Sequence, residues 1–327
     1  MPNTRIAATL LSLTVTITMS SAGQAQPRAY VCHRAAGPVT IDGTLDDAGW
    51  SGIPWSGGFR RFLAPETAAI QPTLVKATWD DRGLIVALRV YDTDPWATKA
   101  ARDDSLWEEE VVEVYIDENG DLLNYREFEV NPLGAMIDLL IPRAGDQAQW
   151  RQCARWDAPG WQVAVRAYPR AARPLWVAEM VFPWGVFTEA AHLPPRPGDV
   201  WRIQFYRIER PRPGGEAAAA APASAGELVA TSWSPTPDFH VPEHFGRLAF
   251  ANDPWDSSAE PPARSGQKLS RTTWSGLVGK SPQGRSDSIP YVGGQRSELP
   301  FRAADNFNAV THRERSGRRL SGPVSTS

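Results

Sequence analysis

The sequence predicts an all-β protein, an antiparallel β-sandwich with only short helices. Two observations carry this. First, eight segments rich in β-branched and aromatic residues follow one another between turn residues: Thr73 to Trp79, Leu84 to Tyr91, Val111 to Ile116, Tyr125 to Val130, Ala135 to Ile141, Trp161 to Tyr168, Trp176 to Phe182 and Trp201 to Ile208. Second, no long stretch repeats apolar residues every 3.6 positions, so helices should be brief, as near Leu45 to Trp50 and Trp184 to Phe187. A parallel α/β fold is disfavoured, and the 327-residue length leaves room for one large or two ordinary domains.

From the N-terminus, Arg5 opens a small positive region, Ile6 to Met19 is apolar and rich in Thr and Ser, and Gly23-Gln24-Ala25 has the small-x-small form of a cleavage site. Residues 1–25 are therefore expected to be a signal peptide cut before Gln26, which places the mature chain in the periplasm or outside the cell. Beyond that segment no uncharged apolar run approaches the roughly 20 residues that cross a bilayer, so no transmembrane segment is expected in the mature protein.

The globular region should run over residues 26–254. In Val111 to Asp117, alternation puts Val112, Val114 and Ile116 on one face and Glu113 and Tyr115 on the other. Trp201, Ile203 and Phe205 likewise oppose Arg202, Gln204 and Tyr206. Each strand is expected to turn its apolar face to the core and to present a row of hydrogen-bonding groups on the other. Pro213 to Gly226, with its run of alanines, looks like an inserted loop that has little to bury. Residues 255–327 are dominated by Ser, Gly, Pro and Arg, with 11 Lys and Arg against 6 Asp and Glu, and are expected to be a disordered, solvated tail.

Lys and Arg number 34 against 37 Asp and Glu, a balance that provides no field for collecting nucleic acid. Cys32 and Cys153 are the only cysteines, and an oxidising compartment would permit one bridge between them. Neither has zinc or haem-attachment spacing. No nucleophile elbow, zinc-protease helix or P-loop is present, so no catalytic residue is assigned. Glu113 could pair with Glu127 or Glu129 across neighbouring strands, and a glycosidase would need two such carboxyl groups flanking a bond. His240 and His244 are four apart, but Pro242 between them argues against a shared helix face for zinc. Asp117, Asn119 and Asp121 offer alternate oxygens that could take calcium; the competing expectation is a hairpin turn using Asn119-Gly120 for positive φ. Trp107 sits between an acidic loop and Glu108-Glu109-Glu110, where an aromatic plate beside polar groups suits a sugar ring.

Several blocks resemble family 9 carbohydrate-binding modules and their DOMON-like relatives. They are Val39 to Trp50, Ala77 to Val86, Leu106 to Asp117, Phe128 to Pro132, Ser232 to Pro237 and His244 to Leu248, in order over nearly the whole globular region. The resemblance implies an exported, non-catalytic protein that binds a poly- or oligosaccharide by stacking a sugar ring between two aromatics. These map to Trp107 and Phe239, with Glu113 and Asn131 at positions that bond sugar hydroxyls. The chain departs from the pattern at Glu129, where Arg is expected, and at Phe239, where Trp is. With the polar row Arg202, Gln204 and Tyr206, these complete the expected ligand site. The family habit of holding calcium adds weight to Asp117, Asn119 and Asp121. The DOMON branch offers an alternative, a haem b electron-transfer domain with Met136 or Met180 opposite His240 or His244; a glycoside-active enzyme is the remaining one.

Overall fold

The computed structural model describes residues 26–62, 64–69, 71–210, 212 and 228–255. The expected signal peptide, the inserted loop at 213–226 and the tail from 256 onward lie outside the described residues.

Among the described residues thirteen strands form two sheets. They are β1 (Ala29–His33), β2 (Arg60–Arg61), β3 (Ala64–Ala68), β4 (Thr73–Trp79), β5 (Gly83–Tyr91), β6 (Val111–Asp117), β7 (Tyr125–Val130), β8 (Met136–Ile141), β9 (Gln162–Tyr168), β10 (Leu175–Pro183), β11 (Val200–Glu209), β12 (Val229–Ser232) and β13 (Gly246–Ala251). The smaller sheet has the order β4-β5-β10-β9. The larger, nine-stranded sheet runs β3-β2-β12-β11-β6-β7-β8, with β13 on β11 and β1 on β13. β12 and β13 share one edge of β11, pairing with Tyr206 to Glu209 and with Val200 to Ile203 respectively.

All eight sequence-predicted strands are present within a residue or so of their expected ends. Helices are indeed brief: single turns at Ala48–Trp50, Leu106–Glu108, Trp184–Val186 and Pro242–His244, and one short pair at Asp146–Gln149 and α1 (Trp150–Cys153). The strands β1, β2, β3, β12 and β13 were not anticipated. One departs from the antiparallel rule as well, because β1 lies parallel to β13, Cys32 opposite Phe250.

The main core fills the space between the sheets. Val112, Val114 and Ile116 of β6 and Trp201, Ile203 and Phe205 of β11 meet Leu84, Val86 and Leu88 of β5 and Met180 and Phe182 of β10 there. Arg207 spans the two layers: its Nη2 donates to Asp92 Oδ2 at 2.7 Å and its Nη1 to the Gln71 and Tyr91 carbonyls, with both charged side chains 2% exposed. Gly246 admits the ring of Trp233 so closely that a Cβ there would stand 2.1 Å from it.

Two expectations are corrected here, the disulfide and the start of the tail. The outer faces of β6 and β11 carry the expected row of hydrogen-bonding groups, and a second apolar cluster covers them, joining Val111, Tyr115, Tyr125, Ile137, Leu139, Tyr206, Ile208 and Phe245. Loops and α1 close over what alternation alone would leave to water. The possible disulfide is not formed, because Cys32 lies in the core between the sheets and Cys153 belongs to this second cluster, both as free thiols. A third cluster, with Trp50, Ile85 and Val181, covers the outer face of the smaller sheet. Trp255, expected to begin the tail, packs on that cluster and lies edge-on to His33 at 5.1 Å, so the folded domain extends through it.

Candidate functional site

The second cluster is where the chemistry collects. Period-2 alternation on β6 and β7 places Glu113, Tyr115, Tyr125, Glu127 and Glu129 on the outer face, and the register sets Glu113 opposite both Glu129 and Tyr206, and Tyr115 opposite Glu127. Glu113, Glu127 and Glu129 are 1%, 4% and 1% exposed. Tyr115 donates its hydroxyl to Glu127 Oε1 at 2.8 Å. His240, held at a left-handed φ of 41° in the loop between β12 and β13, reaches down to this group. Its Nδ1 lies 3.0 Å from the Tyr125 hydroxyl and its Nε2 3.9 Å from Glu127 Oε2.

Half-buried aromatics rim the cluster. Phe239 packs on Tyr206 and, edge to face at 4.7 Å, on Phe62, while Trp107 meets Trp150 edge to face at 4.8 Å. The Trp107 backbone is fixed by Arg210, whose guanidinium donates to its carbonyl. Both expected aromatic plates therefore border the same patch, together with Phe62 and Trp150, which no local pattern marked out.

Burial dominates the electrostatics. It raises the Glu113 carboxyl well above the ordinary glutamate range, with the Glu127 charge adding to it; it raises Glu129 likewise, with Glu113 and Glu127 adding. It pushes the Tyr115 and Tyr206 phenols upward and the His240 imidazole downward. The acids of the preceding loop serve a different purpose. Glu109 accepts the Thr98 and Lys99 amides, and Glu110, pushed up to about 9 by burial and then by Asp92, accepts the Trp96 amide.

Three of the expected ligand residues hydrogen-bond to the backbone of neighbouring loops. Asn131 donates to the Lys99 carbonyl and accepts from the Leu133 and Ala135 amides, which ties the β7–β8 turn. Gln204 clamps Ser234 through both ends of its amide. Arg202 donates to the Pro242 and Glu243 carbonyls. Glu113, Glu129, Tyr206, Trp107 and Phe239 are brought together as expected, and Glu127 joins them. Tyr115, Tyr125 and His240 were not assigned to this site, although alternation along Tyr125-Arg126-Glu127-Phe128-Glu129 already marked Tyr125 as lying beside the two acids.

The loop proposed for calcium does not fit it. Asp117 directs its oxygens to the Gly120 and Leu122 amides, and Asp121 accepts the Leu123 amide. Asn119 accepts the Asp121 amide and donates its NH2 to Asp121 and Glu189. The connection is also no two-residue hairpin, since it spans residues 118–124 with positive φ at Gly120, Leu122 and Asn124. Among the described residues no group of three or more His, Cys, Asp or Glu is set to hold a metal ion. Met136 and Met180 lie in the core between the sheets, on the side of the large sheet away from His240, and His244 turns its Nδ1 to the Pro235 carbonyl.

The sequence matches one family model, Carbohydrate family 9 binding domain-like, over residues 41–131. This stretch is family 9-like. It contains Trp107, Glu113, Glu127 and Glu129, whereas Tyr206, Phe239 and His240, which complete the cluster, come from the chain beyond it. No curated protein matches the sequence. Among solved structures, a family 9 module from Caldicellulosiruptor kristjanssonii in complex with cellotriose is similar at a TM-score of 0.47 and 18% identity, over 72% of this chain and 100% of that one. The complex of a family 9 module from the same organism with glucose gives 0.45 and 18%, over 71% and 100%. Among the described residues no helix is long and apolar enough to cross a membrane.

Proposed function

We propose that this chain is an exported, non-catalytic carbohydrate-binding protein whose ligand docks on the outer face of the large sheet, against Trp107 and Phe239 and above Glu113, Glu127 and Glu129. The observation that carries it is the junction of half-buried aromatic rings with buried, hydrogen-bonding carboxyl groups in one patch. Apolar ring faces suit the C–H faces of a pyranose, and carboxyl oxygens accept from its hydroxyls. The family 9-like match over the segment that supplies most of these residues supports the same reading. Export is supported by the N-terminal Arg5, the apolar run and Gly23-Gln24-Ala25.

The absence of catalysis rests on the two acids. A glycosidase works with one protonated and one ionised carboxyl group, set apart by different surroundings. Here burial is the largest cause at both acids and raises Glu113 and Glu129 alike, with the Glu127 charge adding at each, so their surroundings do not set them apart as an acid and a base. Calorimetric titration with a panel of oligosaccharides, combined with chain-length analysis of the recovered sugars, tests both halves. Saturable binding with unchanged sugars is expected; shortened products would make the protein an enzyme, and no binding to any glycan would remove the reading.

A further inference from the structure

Among the described residues no Lys or Arg pairs with the acids of this face, and the one imidazole near them, His240, lies 3.9 Å from Glu127 Oε2 with its pKa lowered by burial. Written as carboxylates, Glu113, Glu127 and Glu129 each leave Oε2 buried without a hydrogen-bond partner. The Tyr206 hydroxyl, fully buried beside Glu113, likewise has no partner at full hydrogen-bonding geometry, although Gln204 and Thr236 lie near enough to act on it. The arginines bordering the face are engaged with backbone carbonyls, Arg202 with Pro242 and Glu243 and Arg210 with Trp107. Buried polar atoms in native proteins nearly always have partners, and four orphans facing one patch call for a donor-rich group.

We propose that the ligand of this site is a cationic amino sugar, whose primary ammonium enters among Glu113, Glu127, Glu129 and Tyr206 while its ring lies against Phe239 and Trp107. The proposal rests on the saccharide reading above and narrows it. An ammonium brings three N–H donors and one positive charge, matching three orphan carboxylate oxygens; a sugar hydroxyl brings one donor and no charge. Charge-assisted hydrogen bonds are roughly twice as strong as neutral ones. The Tyr115, Tyr206 and Phe239 rings add faces that attract a cation. No metal-sized group of ligands is present among the described residues, which favours an organic cation with directed donors.

Without ligand, protons take the place of the ammonium, as the raised carboxyl groups of Glu113 and Glu129 indicate. The groups facing them are Tyr115 on β6, Tyr125 and Glu127 on β7, Tyr206 on β11, and Asp238, His240 and Cys153 from the covering loop and α1; β8 contributes the apolar Ile137 and Leu139. Docking an ammonium should therefore expel protons, and affinity should rise with pH until the amine itself loses its charge.

The test is calorimetric titration of the full chain with a glucosamine oligosaccharide, its N-acetylated form and a glucan of equal length, in buffers of different ionisation enthalpy. The amine should bind at least about tenfold tighter than either neutral sugar, with proton release. Glu129→Gln should lose that preference while still melting cooperatively. Equal or tighter binding of the neutral sugars overturns the cationic ligand and leaves the saccharide reading standing. Folded protein that binds none of the three overturns both. Competition by methylammonium at the same concentrations as glucosamine would show that the ring is not read, and would overturn an amino sugar as the ligand.

Discussion

Glu113 on β6 and Glu129 on β7 stand directly opposite each other in an antiparallel ladder, each 1% exposed. Like charges in that position are unfavourable even at a wet surface, and burial adds the cost of desolvation. The arrangement is tolerable when the carboxyl groups hold protons or when a bound group supplies positive charge.

That pairing predicts how stability responds to pH. A carboxyl group with a raised folded pKa retains its proton in the folded chain while the unfolded chain releases it, so stability falls as pH rises from about 4.5 through the raised value. His240, lowered from 6.5 by burial, acts in the opposite sense below 6.5, and Lys76, lowered to about 8, does so above 8. Between pH 6.5 and 8 the raised Glu113, Glu129 and Glu110 act without that opposition, and Tm should decline, by about 2–4 °C per kcal/mol for a domain of this size. Glu129→Gln should flatten the decline and raise Tm at the upper end. A wild-type Tm that stays level or climbs over this interval would show that the acids do not hold their protons there.

Trp107→Ala and Phe239→Ala should weaken saccharide binding by about 2 kcal/mol or more, roughly thirtyfold, with Phe239 the smaller effect. Both side chains are half-buried, so the variants should still fold. Trp201→Ala, which empties a site 2% exposed in the main core, should instead cost about 3–5 kcal/mol of stability. Normal affinity in folded Trp107→Ala would make that ring packing alone.

The buried Arg207–Asp92 pair makes a second stability test. Asp92→Ala removes the buried partner of the guanidinium and leaves it Glu209 Oε2 at 3.5 Å, on a more exposed side chain, so it should cost about 3 kcal/mol in denaturant unfolding. A change below about 1 kcal/mol would mean that Glu209 and the Gln71 and Tyr91 carbonyls suffice for Arg207.

A chain ending at Trp255 should be more stable than one ending at Pro254 by about 1–2 kcal/mol, the return on partly burying one indole against His33 and the third cluster. Equal melting temperatures would return Trp255 to the tail.

The sequence made the architecture legible where strands are long enough to alternate. β4 through β11 carry six or more residues whose β-branched and aromatic content outweighs other choices, and alternation assigned the faces of β6 and β11 in advance. β1, β2 and β12 are short, and what makes them strands is a neighbour distant in sequence: Cys32 needs Phe250, and Thr231 needs Arg61. The site divides in the same way. Glu113, Glu127 and Glu129 could be read from period-2 spacing, but their burial depends on His240, Phe62 and α1 closing over the face, which no local pattern encodes. Asn131 and Gln204 could be read as ligand contacts because side-chain amides serve sugars and turns equally well; their bonds to the Leu133, Ala135 and Ser234 backbone groups come only with the fold.

The parallel pairing of β1 with β13 has a mechanical consequence. Ala29 sits beside Arg247 and His33 beside Ala251, so the chain enters the domain at one end of the pair and leaves it at the other. Tension applied to the two ends pulls these strands past each other along their length, and the evenly spaced bonds of a parallel ladder share the load together instead of parting one by one. A domain loaded in shear in this way resists extension far better than one peeled from an edge.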